Sequence, residues 1–98
     1  MRLSYHAEAE AELIDAIEFY ERRSSGLGRR FLRAFDAAMT EISETPERWR
    51  VVKADVRRFV MRRFPYGIDY RVLPDELRVL AVKHHSRHPN YWHSRLSE

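Results

Sequence analysis

In the stretch AEAEAELIDAIEFYERR (7–23), Ala9, Leu13, Ala16, Ile17 and Tyr20 recur at helical spacing among strong helix formers. Acidic residues crowd its first turns and Arg22 and Arg23 close it, which suits the helix macrodipole. SSGLG (24–28) breaks the pattern. A second helix is predicted from Leu27 to Glu44, with Leu27, Phe31, Ala34, Phe35, Ala38, Met39 and Ile42 as its apolar stripe. The short glycine-bearing connection makes the two an antiparallel helical hairpin. Thr45 before Pro46 signals one extra turn.

Outside the hairpin the period shortens to that of strands. RLSY (2–5) reads as a short edge strand, and VRRFVMRRF (56–64), IDYRVL (68–73) and LRVLAVKHH (77–85) as three more. PYG and PDE between them are turn chemistry, and such short connections imply antiparallel neighbours. LRVLAV is apolar at both parities, so it belongs in the sheet interior. HPNYWHSRL (88–96) reads as a short helix started by Pro89. The expected order is β–α–α–β–β–β–α, a single α+β domain over 1–98. Its N-terminal helical hairpin lies on a small antiparallel sheet.

Composition narrows the function classes. Ninety-eight residues bury only roughly 60–65% of the unfolded surface. With no cysteine, a disulfide framework, a thiolate zinc site and a cysteine nucleophile are excluded. No apolar run is long enough to span a membrane, and MRLSYHAEAEAEL carries no signal-peptide core, so a cytoplasmic protein is expected. The net charge of +3 hides an asymmetry: residues 1–47 hold 6 Lys/Arg against 10 Asp/Glu, and residues 48–98 hold 12 against 5. A basic half fits either a polyanionic partner or a solvated arginine-rich sheet face.

Four of the five histidines lie in VKHHSRHPNYWH (82–93). His84 and His85 would occupy opposite faces of an extended strand, and Pro89 keeps His84 and His88 off one helix. No Asp or Glu lies between Glu76 and Glu98. Zinc needs three or four converging ligands, so neither a metal nor a cofactor is expected.

The hairpin AEAELIDAIEFYERRSSGLGRRFL, the proline after it, the strand pair VRRFVMRRFPYGIDYRV and the terminal LAVKHHSRHPNYWHSRL together resemble the RelE/ParE superfamily of type II toxin–antitoxin modules. The resemblance spans essentially the whole chain. It implies a twisted sheet with an N-terminal helical hairpin, and a cognate antitoxin that assembles with the toxin into a hetero-oligomer. It also implies one of two targets, the ribosome and its messenger RNA or DNA gyrase. For the RNA-cleaving branch it implies catalytic residues at His85, Arg87, Tyr91 and Arg58. Two cationic positions of that branch fall on Val60 and Gly67, which favours gyrase binding slightly. Metal-independent RNA cleavage would need a base, an acid and cations around the phosphate. Each candidate also has a plainer reading. Arg87 can pair with a carboxylate or cap a helix, and His85 can be a solvated strand end. Trp92 and Leu96, four residues apart, can anchor a core, and a buried Tyr91 hydroxyl needs a partner. A gyrase inhibitor, a ribosome-dependent endoribonuclease and a module that only holds its antitoxin all remain open. Arg29, Arg30 and Arg33, at the start of the second helix, are a further basic cluster, expected to be exposed or paired with the acidic first helix.

Overall fold

The computed structural model describes residues 1–97. The elements are β1 (Arg2–Tyr5), α1 (Ala7–Arg23), α2 (Leu27–Glu44), β2 (Arg50–Lys53), β3 (Val56–Val60), β4 (Tyr66–Leu73), β5 (Glu76–His84) and a closing 3-10 helix, His93–Ser97. The sheet has five strands in the order β1-β5-β4-β3-β2. β4 and β5 are therefore interior, as the apolar character of LRVLAV implies. No helix among the described residues is long and apolar enough to cross a membrane.

The helical hairpin forms where the periodicity places it. His6 is the N-cap of α1, and its Nδ1 accepts from the Glu8 N–H at 3.1 Å. The helices approach so closely that a Cβ at Gly28 would meet the Ile17 carbonyl at 2.6 Å. Gly26 begins α2 at φ 86°, a left-handed conformation that suits glycine. Glu21 reaches across from α1 and accepts from the Gly26 and Gly28 N–H groups, which holds its carboxyl below the usual range. This carboxylate satisfies orphan donors at the start of α2, where no acidic residue stands in the first turn. Phe31, Phe35, Met39 and Ile42 of α2 pack with Phe59, Ile68, Tyr70, Leu77, Val79 and Val82 of the sheet to make the main core.

Four expectations are corrected. First, RVVK (50–53) is a strand that the sequence reading left unassigned. It is only four residues long and turns into β3 through Ala54, a non-glycine at φ 51°. A left-handed Ala carries none of the Asn-Gly or Asp-Gly signal of a hairpin turn. Second, β1 pairs parallel with β5, so the sheet is mixed rather than antiparallel. The chain leaves β1 through the whole hairpin and three further strands before it returns. Third, the first long strand stops at Val60, and Met61–Pro65 bends away. Fourth, residues 88–96 do not form one helix from Pro89. Successive turns close through Tyr91 N–H to His88 O, His93 N–H to Asn90 O and Arg95 N–H to Trp92 O, the i to i−3 pattern. The residues expected to make one extra turn, from Thr45, do make a single hydrogen-bonded turn (Arg48 N–H to Thr45 O, 3.1 Å).

A second, smaller core fills the sheet face opposite the hairpin: Val56, Leu80, Ala81 and Trp92, with Tyr91 and Leu96 packed against it. An irregularity in the β4–β5 register at Asp69/Tyr70 accompanies it, and lets the adjacent Leu80 and Ala81 both serve this second core. The C-terminal segment is thus a strap across the free face, and the candidate site lies where the strap meets the ends of β3, β4 and β5.

Candidate functional site

Arg58 stands on β3 directly opposite Asp69 on β4. Its guanidinium grips the Asp69 carboxylate through two bonds, Nε–Oδ1 at 2.7 Å and Nη2–Oδ2 at 2.8 Å. Nη2 also donates to the Pro89 carbonyl at 2.9 Å. Asp69 is fully buried, and the forked bond holds the Arg58 guanidinium charged. Gly67 lies beside this arm, and a Cβ there would stand 3.5 Å from the Arg58 methylenes, an ordinary van der Waals contact. Arg58 therefore ties the strap to the sheet.

The strap has a second tie, to α1. Glu12 accepts from the Val82 N–H at 3.0 Å, the Tyr91 hydroxyl at 2.5 Å, and Arg95 Nη1 and Nη2 at 3.1 and 3.0 Å. Arg95 Nη1 also donates to the Leu80 carbonyl at 2.9 Å. β1 pairs only with Glu76–Val79, so the outer edge of β5 beyond it would otherwise be bare. Glu12 and Arg95 bond that edge in place of a strand.

Tyr91 sits at the centre of this second tie. Burial first, and then its bond to Glu12, push its hydroxyl well above the ordinary tyrosine range. The Arg87 guanidinium lies over the ring at 4.1 Å from its centroid, and Arg95 at 4.9 Å. Arg87 itself is exposed, at the turn that follows β5. His85 is on the same turn, also exposed, with its backbone N–H bonded to Pro65 O and no side-chain hydrogen bond among the described residues.

The four residues singled out in the sequence thus lie at one end of the sheet, but in different conditions. Arg58 and Tyr91 are committed to carboxylates. Arg87 and His85 present themselves to solvent. Trp92 is fully buried, in line with the core reading. Val60 is 56% exposed on the same strand as Arg58 and on the same face by strand alternation.

Three groups in this region escaped the sequence reading. Glu12 looked like one more acid on a solvated helix face. Asp69 lay inside an apolar strand, and a buried carboxylate there was itself a signal that a cation must meet it. Lys83 is only 6% exposed and donates to the His84 carbonyl at 3.2 Å. Burial, and then the neighbouring Arg58 and Arg87, push its ammonium pKa down.

The other histidines do not converge. His84 Nδ1 accepts from the Ser86 N–H at 3.0 Å, and the ring lies edge-on to Tyr66. His88 Nδ1 accepts from the Asn90 N–H. Among the described residues no group of three or more His, Asp or Glu side chains could hold a metal ion. Much of the basic half is internally paired: Arg62 with Glu41 and Arg71 with Asp55, besides the two ties, and Arg57 donates to the Glu47 and Trp49 carbonyls. Arg57 and Arg58 are both half-buried.

A groove of about 670 Å³ lies elsewhere, between α2 and the end of β3 with its following bend. Ala34, Ala37, Ala38, Phe59, Met61 and Phe64 are among its apolar lining, and Arg30, Arg33, Arg62 and Arg63 its cations, with Glu41 the one acid. Arg30 and Arg33 are thus gathered at this groove rather than against α1.

The family described as "ParE toxin of type II toxin-antitoxin system, parDE" matches residues 3–89. Two curated proteins named Toxin ParE2, from Mycobacterium tuberculosis strains CDC 1551 / Oshkosh and H37Rv, are each 28% identical over 90 residues, covering 91% of this chain and 86% of theirs. A solved structure titled "Chromosomal ParDE TA system from P. aeruginosa" superposes with a TM-score of 0.64 at 19% identity, covering 86% of this chain and 95% of that one, a likeness of fold. The two-helix hairpin on a mixed sheet and the match over residues 3–89 agree: the chain belongs to the ParE toxin family of type II toxin–antitoxin systems.

Proposed function

We propose that this protein arrests growth by binding DNA gyrase, as a binding toxin without RNA-cleaving chemistry, and that a cognate antitoxin neutralises it. The observation that carries the choice of target class is the commitment of the groups a nuclease would need. The Tyr91 hydroxyl donates to Glu12, and the Arg58 fork holds Asp69 and the Pro89 carbonyl. An exposed Val60 and a glycine at 67 stand where the resemblance to RNA-cleaving relatives would put cations. A patch with an exposed guanidinium, an exposed imidazole and an apolar side chain is suited to protein contact. The turn bearing His85 and Arg87 is the target-contact surface in this reading.

The test is a pair of assays on the purified protein: gyrase-catalysed DNA supercoiling, and messenger RNA cleavage with ribosomes present. Supercoiling should be inhibited and the message left intact, with His85→Ala and Arg87→Ala each weakening inhibition. Ribosome-dependent cleavage that His85→Ala abolishes would replace this reading with the endoribonuclease one.

The antitoxin takes the groove beside α2 in the same proposal. Four arginines and one glutamate on an alanine-rich, aromatic-floored groove match an amphipathic segment with an acidic edge. Arg33→Glu with Arg63→Glu should weaken binding of the product of the adjacent antitoxin gene by roughly 100-fold or more, since each reversal turns an attraction into a repulsion. Isothermal titration calorimetry measures it. Unchanged affinity would put the antitoxin on another surface.

A further inference from the structure

The geometry points to Tyr91 as a positioning residue, a platform that presets the Arg87 guanidinium for target contact, rather than as a proton donor. The inference rests on the target-contact reading of the turn given above.

Arg87 is exposed at the turn after β5, and an exposed arginine ordinarily samples many rotamers. Here its guanidinium is laid over the Tyr91 ring at 4.1 Å, which restrains it before any partner arrives. The ring is in turn immobilised from three directions. Its hydroxyl donates to Glu12 on α1, Arg95 packs on it at 4.9 Å, and the neighbouring Trp92 is buried in the second core. Glu12 is itself locked by the Val82 N–H and by Arg95. A chain of contacts therefore runs from the rigid hairpin, through the hydroxyl and ring, to a cation at the surface. Two features set this apart from a reacting tyrosine. The hydroxyl is engaged by the Glu12 carboxylate, so the ring face, not the oxygen, is what the exposed guanidinium rests on. Burial and that carboxylate also keep its proton bound. A preset contact binds more tightly because less side-chain freedom is lost on association.

The experiment compares Tyr91→Phe, Tyr91→Leu, Arg87→Ala and the double variant Tyr91→Leu/Arg87→Ala. Inhibition of gyrase supercoiling is titrated for each and growth arrest on induction followed in parallel. Thermal unfolding checks that each variant is folded. Tyr91→Phe keeps the ring and should stay within about twofold of the parent, which a lost reacting hydroxyl would not allow. Tyr91→Leu removes the platform and should raise the half-inhibitory concentration about two- to fivefold. The double variant should match Arg87→Ala alone, because a platform has nothing to position once the guanidinium is gone. Losses that multiply in the double variant, or a Tyr91→Phe as impaired as Tyr91→Leu, would overturn the proposal. So would an unimpaired Tyr91→Leu beside an impaired Arg87→Ala. If Arg87→Ala itself changes neither readout, the target-contact reading fails and takes this inference with it. If the parent arrests growth without touching gyrase, only the choice of target fails, and growth arrest carries the same four-way comparison.

Discussion

Glu12→Ala should be among the most destabilising single substitutions in this protein, with a loss of about 3–5 kcal/mol. The carboxylate accepts from Arg95 twice, from Tyr91 and from the Val82 backbone. Its removal leaves the Arg95 guanidinium, 7% exposed, without its closest anion. It also uncovers an N–H on the edge of β5 that no strand pairs. An uncompensated buried charge costs far more than the net worth of an intact pair. In a domain of this size that loss should lower the thermal midpoint by more than about 12 °C. Glu12→Gln should be milder, because the amide oxygen still accepts from Val82 or Tyr91. Glu8 lies 4.0 Å from Arg95 but is 67% exposed, so it cannot take over the role. A midpoint for Glu12→Ala within a few degrees of the parent would show that the strap is held by other means.

Trp92→Ala should be comparably severe, about 3–5 kcal/mol, because a fully buried indole is the largest side chain of the second core. The loss should be concentrated in the strap. Val56, Leu80 and Ala81 are the only other fully buried members of that cluster among the described residues, so little apolar packing remains beneath residues 86–97, which the two polar ties must then hold alone. Hydrogen exchange should therefore rise first at the strap and the outer edge of β5, with α2 and its partners in the main core less affected. Growth arrest should weaken with it, since the turn bearing His85 and Arg87 loses its support. Trp92→Phe should be far better tolerated. The indole N–H has no partner among the described residues, so phenylalanine gives up buried area and no hydrogen bond. Uniform loss of protection throughout the chain in Trp92→Ala would mean that the two cores unfold as one unit.

The sequence alone determined the helical hairpin, the three longer strands and the family. Each of those rests on local information. Residues three and four apart share a helix face, alternate residues share a strand face, and turn residues stand between them. Both helices run as the periodicity laid them out, 7–23 and 27–44. The cluster at the end of β5 was legible too, because His85, Arg87 and Tyr91 are close in sequence and the strand carries them to one end of the sheet. Tertiary structure decided everything that depends on residues far apart in the chain. Ala54 turns β2 into the sheet without a turn signal, and β1 finds β5 across more than seventy positions. The same holds for the strap. Glu12 supplies the acceptor for the Tyr91 hydroxyl and the carboxylate for Arg95 from 79 and 83 residues away. A charge on an amphipathic helix reads as solvated until a partner segment folds over it. Only then does burial turn the same carboxylate from a surface acid into the anchor of the site.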